Sequence, residues 1–187
     1  MCKRINDSIL SREEIAVRKI WAPDVEAMEE ALDRVNTKVV VLQAFTRDLT
    51  KLTTDEMMLK ITGLVEKALR KADKVVISTI IRREDVEDID LKANTVNLEI
   101  LKKYRREENV VICDNHKLYE SYYRIRDKLH LSKDGIPVFA SNLKYAIAKA
   151  YGVEVKQRRW DNSRRQPQYE YDNQSYDRYD RRGRNDR

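Results

Sequence analysis

The chain is poor in cysteine and glycine and has no long apolar run, and each shortage removes a class of function. Cys2 and Cys113 are its two cysteines. They form no CxxC pair and no Cys/His cluster, which supports neither a disulfide framework nor a structural zinc site. The four glycines are Gly63, Gly135, Gly152 and Gly183. None follows an apolar strand directly, and no GxGxxG or GxxxxGK(S/T) is present, which argues against a Rossmann or P-loop phosphate cradle. No stretch approaches the roughly 18 apolar residues of a membrane span. The opening MCKRINDSIL lacks the apolar core of a secretory signal. The expectation is a soluble cytoplasmic protein with no membrane partner, no metal and no cofactor.

What is present is charge. Of 187 residues, 41% are hydrophobic and 37% charged, and the net charge is +6. That size and balance suit one globular domain with a heavily solvated surface. From Lys156 to Arg187 there are ten lysines and arginines against six acids, a net +4, which leaves only +2 for residues 1 to 155. The basic character therefore belongs to the tail. Expected units are a domain over 1–155 and a disordered Arg/Tyr-rich tail over 156–187, because the tail has almost no aliphatic residues to offset chain entropy.

Three runs are almost purely apolar and β-branched: KVVVLQAF from Lys38, KVVISTII from Lys74 and NVVICDN from Asn109. Continuous rather than alternating hydrophobicity predicts parallel strands covered on both faces. IAVRKIW from Ile15 reads as a weaker strand. In NVVICDN, Cys113 reads as a small buried residue. Helical spacing appears between the runs. Asp24 to Arg34 follows Pro23, with Val25, Met28, Leu32 and Val35 on one face. Thr53 and Glu56 are placed as a capping box ahead of Met57, Ile61, Leu64, Val65 and Leu69. Leu91, Leu98, Leu101 and Tyr104 suggest a third helix; Val138, Leu143, Ala146, Ile147 and Ala150 suggest a fourth, closed by Gly152. Alternating strands and helices predict a three-layer α/β/α fold with a doubly wound, mostly parallel sheet, whose ligands sit beyond the strands' carboxyl ends. The loops to inspect are therefore 44–50, 80–90 and 114–134.

In the last of these, Asp127 precedes His130 by three residues in RDKLHLSKDGIPVFASNLKYAI. A carboxylate beside an imidazole fixes its tautomer, so that the second ring nitrogen can take a proton from a hydroxyl. His116, in CDNHKLYE, reads as a hydrogen-bonded loop histidine. Taken with VVVLQAFTRDL and VVISTIIRRED, the order of these segments resembles the SGNH (GDSL-type) hydrolase family in its divergent, esterase-like branch, over roughly residues 15 to 152. That resemblance implies a flavodoxin-like sheet and carboxylester hydrolysis through a Ser-His-Asp triad. His130 would be the general base and Asp127 its orienting partner.

The same resemblance implies losses. The family's nucleophile lies in a Gly-Asp-Ser block at the end of a first strand, and CKRINDSIL resembles the helix that follows it. The expectation is a chain truncated before or at that block, with a gap in the centre of its sheet and marginal stability. Phe45, Thr46, Arg47 and Asp48 stand where the family has Gly-x-Asn-Asp, so Arg47 replaces the oxyanion-donating asparagine. With Thr46 it forms the rim of the site, as an anion-binding group or as a solvated side chain. Trp21, Ala22 and Pro23 occupy the second-block glycine region. Ser8, Ser11, Ser78, Ser121 and Ser132 lie at no tight strand-to-helix turn. Loss of an oxyanion donor costs about a hundredfold to a thousandfold in turnover. The expected function is an SGNH-like domain inactive as written, with an ester substrate only for a form that carries the nucleophile. The alternative is a non-catalytic binding protein with weak RNA affinity. In that reading Arg158, Arg159, Arg164, Arg165, Arg181, Arg182 and Arg184, interleaved with tyrosines, contact phosphates and stack on bases. The acids among them weaken that signal and favour a plain solvating tail.

Overall fold

The three apolar runs form three short strands, and their lack of alternation is explained by what covers them. In the computed structural model, which describes residues 7–11, 15–43, 45–81, 83, 85–119 and 129–153, β1 is Val39–Leu42, β2 is Lys74–Ser78 and β3 is Val110–Cys113. They make one parallel sheet in the order β1-β2-β3, with Val40 opposite Val75 and Ile77 opposite Ile112. The helices are α1 (Asp7–Leu10), α2 (Val25–Asp33), α3 (Thr54–Leu69), α4 (Ile89–Tyr104) and α5 (Gly135–Ala150). Val40, Leu42, Val75, Ile77 and Val110 point into one core with α2, α3 and α4. Val76, Val111 and Cys113 point into the other with α5. The architecture is three-layer α/β/α. No helix among the described residues is long and apolar enough to cross a membrane. Residues 154–187, and with them the tail arginines, lie outside the described residues.

Local chemistry fixes the helix ends. The Thr53 hydroxyl accepts from the Glu56 amide at 3.3 Å and the Glu56 carboxylate accepts from the Thr53 amide at 2.7 Å, which completes the capping box of α3. The α2 cap is Asp24, whose carboxylate accepts from the Ala27 amide at 3.1 Å, so Pro23 stands one residue outside the helix rather than in its first turn. Gly152 takes φ 71° after α5. Its amide reaches the Lys149 carbonyl and the Val153 amide reaches that of Ala148, a Schellman closure that needs left-handed backbone at this position.

Two expectations change. Leu91 and Leu98 are 69% and 56% exposed, and α4 instead buries Ile89, Ala93, Val96, Asn97, Ile100 and Tyr104. The leucines mark the wrong face because the true inner face contains an asparagine. The Ile15–Trp21 run forms no strand: only Ile15 carries an isolated bridge, and residues 16–20 have no regular structure. Between this segment and β1 lies a cavity of about 450 Å³.

Asn97 is buried because the chain beyond β2 remains in the core. Ile80 and Ile81 are each 1% exposed and belong to opposite apolar layers. The Asn97 side-chain oxygen accepts from the Ile80 amide at 2.7 Å and its nitrogen donates to the Ile80 carbonyl at 2.8 Å. Asn97→Leu strands both groups without water. Urea unfolding should show a loss of about 3 kcal/mol; a loss below about 1 kcal/mol would mean that the backbone finds other partners.

Candidate functional site

The carboxyl ends of the strands open onto three loops, each held by a buried polar group. After β1 the chain turns at Phe45, which has φ 74° although it is not glycine and whose ring is 1% exposed. Left-handed backbone costs a bulky residue about 1–2 kcal/mol, and burial of the ring offsets that cost. Phe45 thus takes a backbone conformation that glycine adopts more readily. Thr46 is half-buried and Arg47 exposed. The Arg47 carbonyl accepts from the Thr50 hydroxyl at 3.0 Å at the start of a short 3-10 turn over Asp48–Thr50. Lys92 of α4 reaches over to donate to the Leu49 and Leu52 carbonyls.

The second loop is tied to the first by Arg83, which is 7% exposed. Its guanidinium forks onto Asp85 at 2.7 and 2.5 Å and its third nitrogen donates to the Thr46 carbonyl at 2.8 Å. A bidentate pair of this kind fixes both partners. Nothing in the composition of the RRED stretch singles out this role; an arginine two residues before an acid, just past a buried strand, is the signal in the sequence.

The third loop hangs on Asn115, which has no solvent exposure. Its amide donates to the Thr79 hydroxyl at 2.9 Å, and its side-chain nitrogen donates to the Ser78 hydroxyl and the Thr79 carbonyl at 2.9 and 3.0 Å. Its side-chain oxygen accepts from Asn142 of α5 at 3.2 Å. Next to it, burial pushes the Cys113 thiol up to about 12, so Cys113 remains a protonated core residue and no nucleophile. Asp114 and His116 stand outside this latch, both well exposed. One Asp114 oxygen accepts from the His116 amide at 2.9 Å and the other lies 2.7 Å from His116 Nδ1. His116 is a hydrogen-bonded loop histidine.

Of the residues singled out from sequence, Thr46 and Arg47 are neighbours on the β1 loop, and His130 is exposed just before α5. Asp127 lies outside the described residues, so the pairing of Asp127 with His130 does too. Ser11, Ser78 and Ser132 have structural partners. Ser11 accepts from the Val17 amide at 3.1 Å, Ser132 accepts from the Gly135 amide at 3.1 Å, and Ser78 belongs to the Asn115 latch. Among the described residues no cluster of histidine, cysteine and carboxylate side chains is arranged to hold a metal ion.

No family model matches the chain, and no curated protein sequence matches it. Among solved structures, the crystal structure of a member of the lipolytic protein G-D-S-L family from Veillonella parvula DSM 2008 superposes with a TM-score of 0.54 and 19% identity, covering 68% of this chain and 74% of that one. The chain therefore has an SGNH-hydrolase-like fold, and at that identity the likeness speaks for the fold alone.

Asp48, the last residue of the Phe45–Asp48 rim, is 3% exposed, and its Oδ2 has no hydrogen-bond partner among the described residues. Burial, with Glu26 and Asp24 nearby, raises its carboxyl above the ordinary aspartate range. The folded protein therefore holds this proton more tightly than the unfolded chain does, and stability falls as pH rises from the ordinary aspartate range through the raised value. Asp48→Asn should unfold later than the parent at pH 7. The gain should shrink toward zero below the ordinary aspartate range, where both side chains are neutral. Thermal unfolding at pH 7 and pH 3 measures it, and an equal gain at both would assign the effect to packing.

Proposed function

We propose that this SGNH-like domain does not hydrolyse esters as it stands and uses the rim at the carboxyl end of its sheet as a binding surface. The observation that supports this most directly is the Phe45–Asp48 loop. It keeps the glycine-type turn but presents an exposed arginine where the resemblance calls for an asparagine amide. An oxyanion hole works by donors already fixed at hydrogen-bond distance from the charge that develops, whereas an exposed guanidinium on a flexible stem must be ordered first. Arg47 suits a pre-existing anion better than a transient one. Ser11, Ser78 and Ser132 are committed to backbone and latch contacts, which does not suit a nucleophile that needs a free, activated hydroxyl.

The full chain should release no p-nitrophenol from p-nitrophenyl acetate above the rate of its His130→Ala variant and should take no label from a fluorophosphonate. Turnover that His130→Ala abolishes would overturn the proposal and make His130 a general base after all.

The arginine and tyrosine interleaving beyond Val155 supports a second reading, weak sequence-independent RNA binding. Neutralised phosphates release counterions, so each contact contributes about −0.7 to the slope of log affinity against log salt on single strands. Binding of a fluorescent single-stranded RNA should drop steeply between 50 and 200 mM salt, by roughly 20- to 50-fold for three to four contacts, and should vanish in a version ending at Val155. Affinity that survives the deletion would move the RNA site onto the folded domain.

A further inference from the structure

β1 is paired along one side and faces the 450 Å³ cavity along the other. The Lys74 amide donates to the Lys38 carbonyl at 3.1 Å. Strand alternation then turns the backbone groups of Val40 and Leu42 toward β2, and those of Val39 and Val41 toward the cavity. The opposite wall is the irregular segment 15–20; α2 closes one face with Met28 and Leu32, and α5 closes the other with Leu143 and Ile147. The hollow thus has a strand edge on one side, a chain segment on the other, and apolar helix faces above and below.

Those walls limit the occupant. A four-residue strand rises about 13 Å, takes about 4.8 Å of sheet width and fills a layer about 10 Å deep, a block of about 600 Å³. The cavity is of that order. It is walled on its far side, so it admits an isolated strand but not the sheet edge of a second copy, which would bring its own neighbouring strands and helices. The chain's undescribed stretches, 1–6, 12–14, 120–128 and 154–187, contain no three successive aliphatic residues, so none offers a segment for two apolar faces. Among the described residues the lining includes Arg18, Lys19 and Arg34 and no acidic residue, which favours negative charge at the occupant's flanks.

We propose that this cavity receives a single extended apolar strand with acidic flanks, supplied from outside these 187 residues, which pairs with the Val39 and Val41 backbone. Pairing supplies the affinity and the two apolar faces the selectivity, as in other strand additions to a sheet edge.

The probe is a fluorescein-labelled peptide of sequence DDVVIVLDD, titrated into the full chain by fluorescence anisotropy, with hydrogen exchange read at the Val39 and Val41 amides. The expected result is saturable binding that slows exchange at both amides. The same peptide N-methylated at alternate residues should bind at least tenfold more weakly, as should a peptide with lysines in place of its aspartates. Val41→Pro removes a cavity-facing N–H without removing a bond to β2, so it should weaken binding about tenfold with the far-ultraviolet circular dichroism unchanged. Equal binding of the N-methylated peptide, or no binding, overturns the proposal. It is overturned equally if these amides in the free chain exchange as slowly as those of β2. Slowing that depends on protein concentration, with a doubled mass, would make a second copy the occupant and the proposal wrong.

Discussion

The structure depends on one constraint: β2 is buried on both faces and between two neighbours, and the chain leaves it without leaving the core. Water cannot reach the peptide groups beyond Ser78, so protein must satisfy them. Two asparagines from different elements do this. Asn97 of α4 clamps Ile80 through both amide atoms, and Asn115, just past β3, takes the Ser78 and Thr79 oxygens. Each asparagine thereby fixes the element that carries it. α4, locked at Asn97, delivers Lys92 to the β1 loop. The chain beyond β3, locked at Asn115, places Asp114 and His116 on its outer side. The exposed rim is thus positioned by hydrogen bonds beneath it.

Much of the architecture was legible because it follows from burial that is nearly complete. Three β-branched runs without alternation have few other destinations than a covered parallel sheet, and Thr53 with Glu56 specifies a helix start by local chemistry alone. The failures have a physical pattern. Leu91 and Leu98 suggested an inner face for α4 because hydrophobicity was the signal used, yet that face is defined by Asn97, whose burial depends on a backbone clamp 17 residues earlier. The Ile15–Trp21 run has strand composition but no ladder partner beside it, and a strand without a neighbour has no hydrogen bonds to hold it. Composition reports what a segment can do; pairing depends on what stands next to it.

The candidate site was legible in its location and only partly in its parts. Arg47 and Thr46 lie at the strand end where a doubly wound sheet places its ligands, but the group that holds them, Arg83, is a charged residue with little exposure, and charged residues in loops are ordinarily solvated. Its burial is possible because the Asp85 fork and the Thr46 carbonyl together use its donors. Asp114 and His116 are adjacent enough in sequence to pair, yet that spacing is compatible with many loop geometries; the hydrogen bond to the His116 backbone amide, which pins the Asp114 carboxylate, appears only once the chain is folded.

β1 links the two unusual features of this molecule. Its carboxyl end runs into Phe45, held in left-handed backbone by the packing of its own ring, and its open side faces the cavity. A buried aromatic ring that compensates strained backbone is only as secure as the strand that positions it, and a strand laddered on one side has half the hydrogen bonds of a central one. Bracing of β1 on its free side would therefore act on the rim as well as on the sheet, because the Phe45 turn, the Arg83 tie at Thr46 and the buried Asp48 carboxyl all lie within six residues of Leu42. Stability of the fold and order of the rim are set by the same strand, and the rim cannot be rigid while β1 is loose.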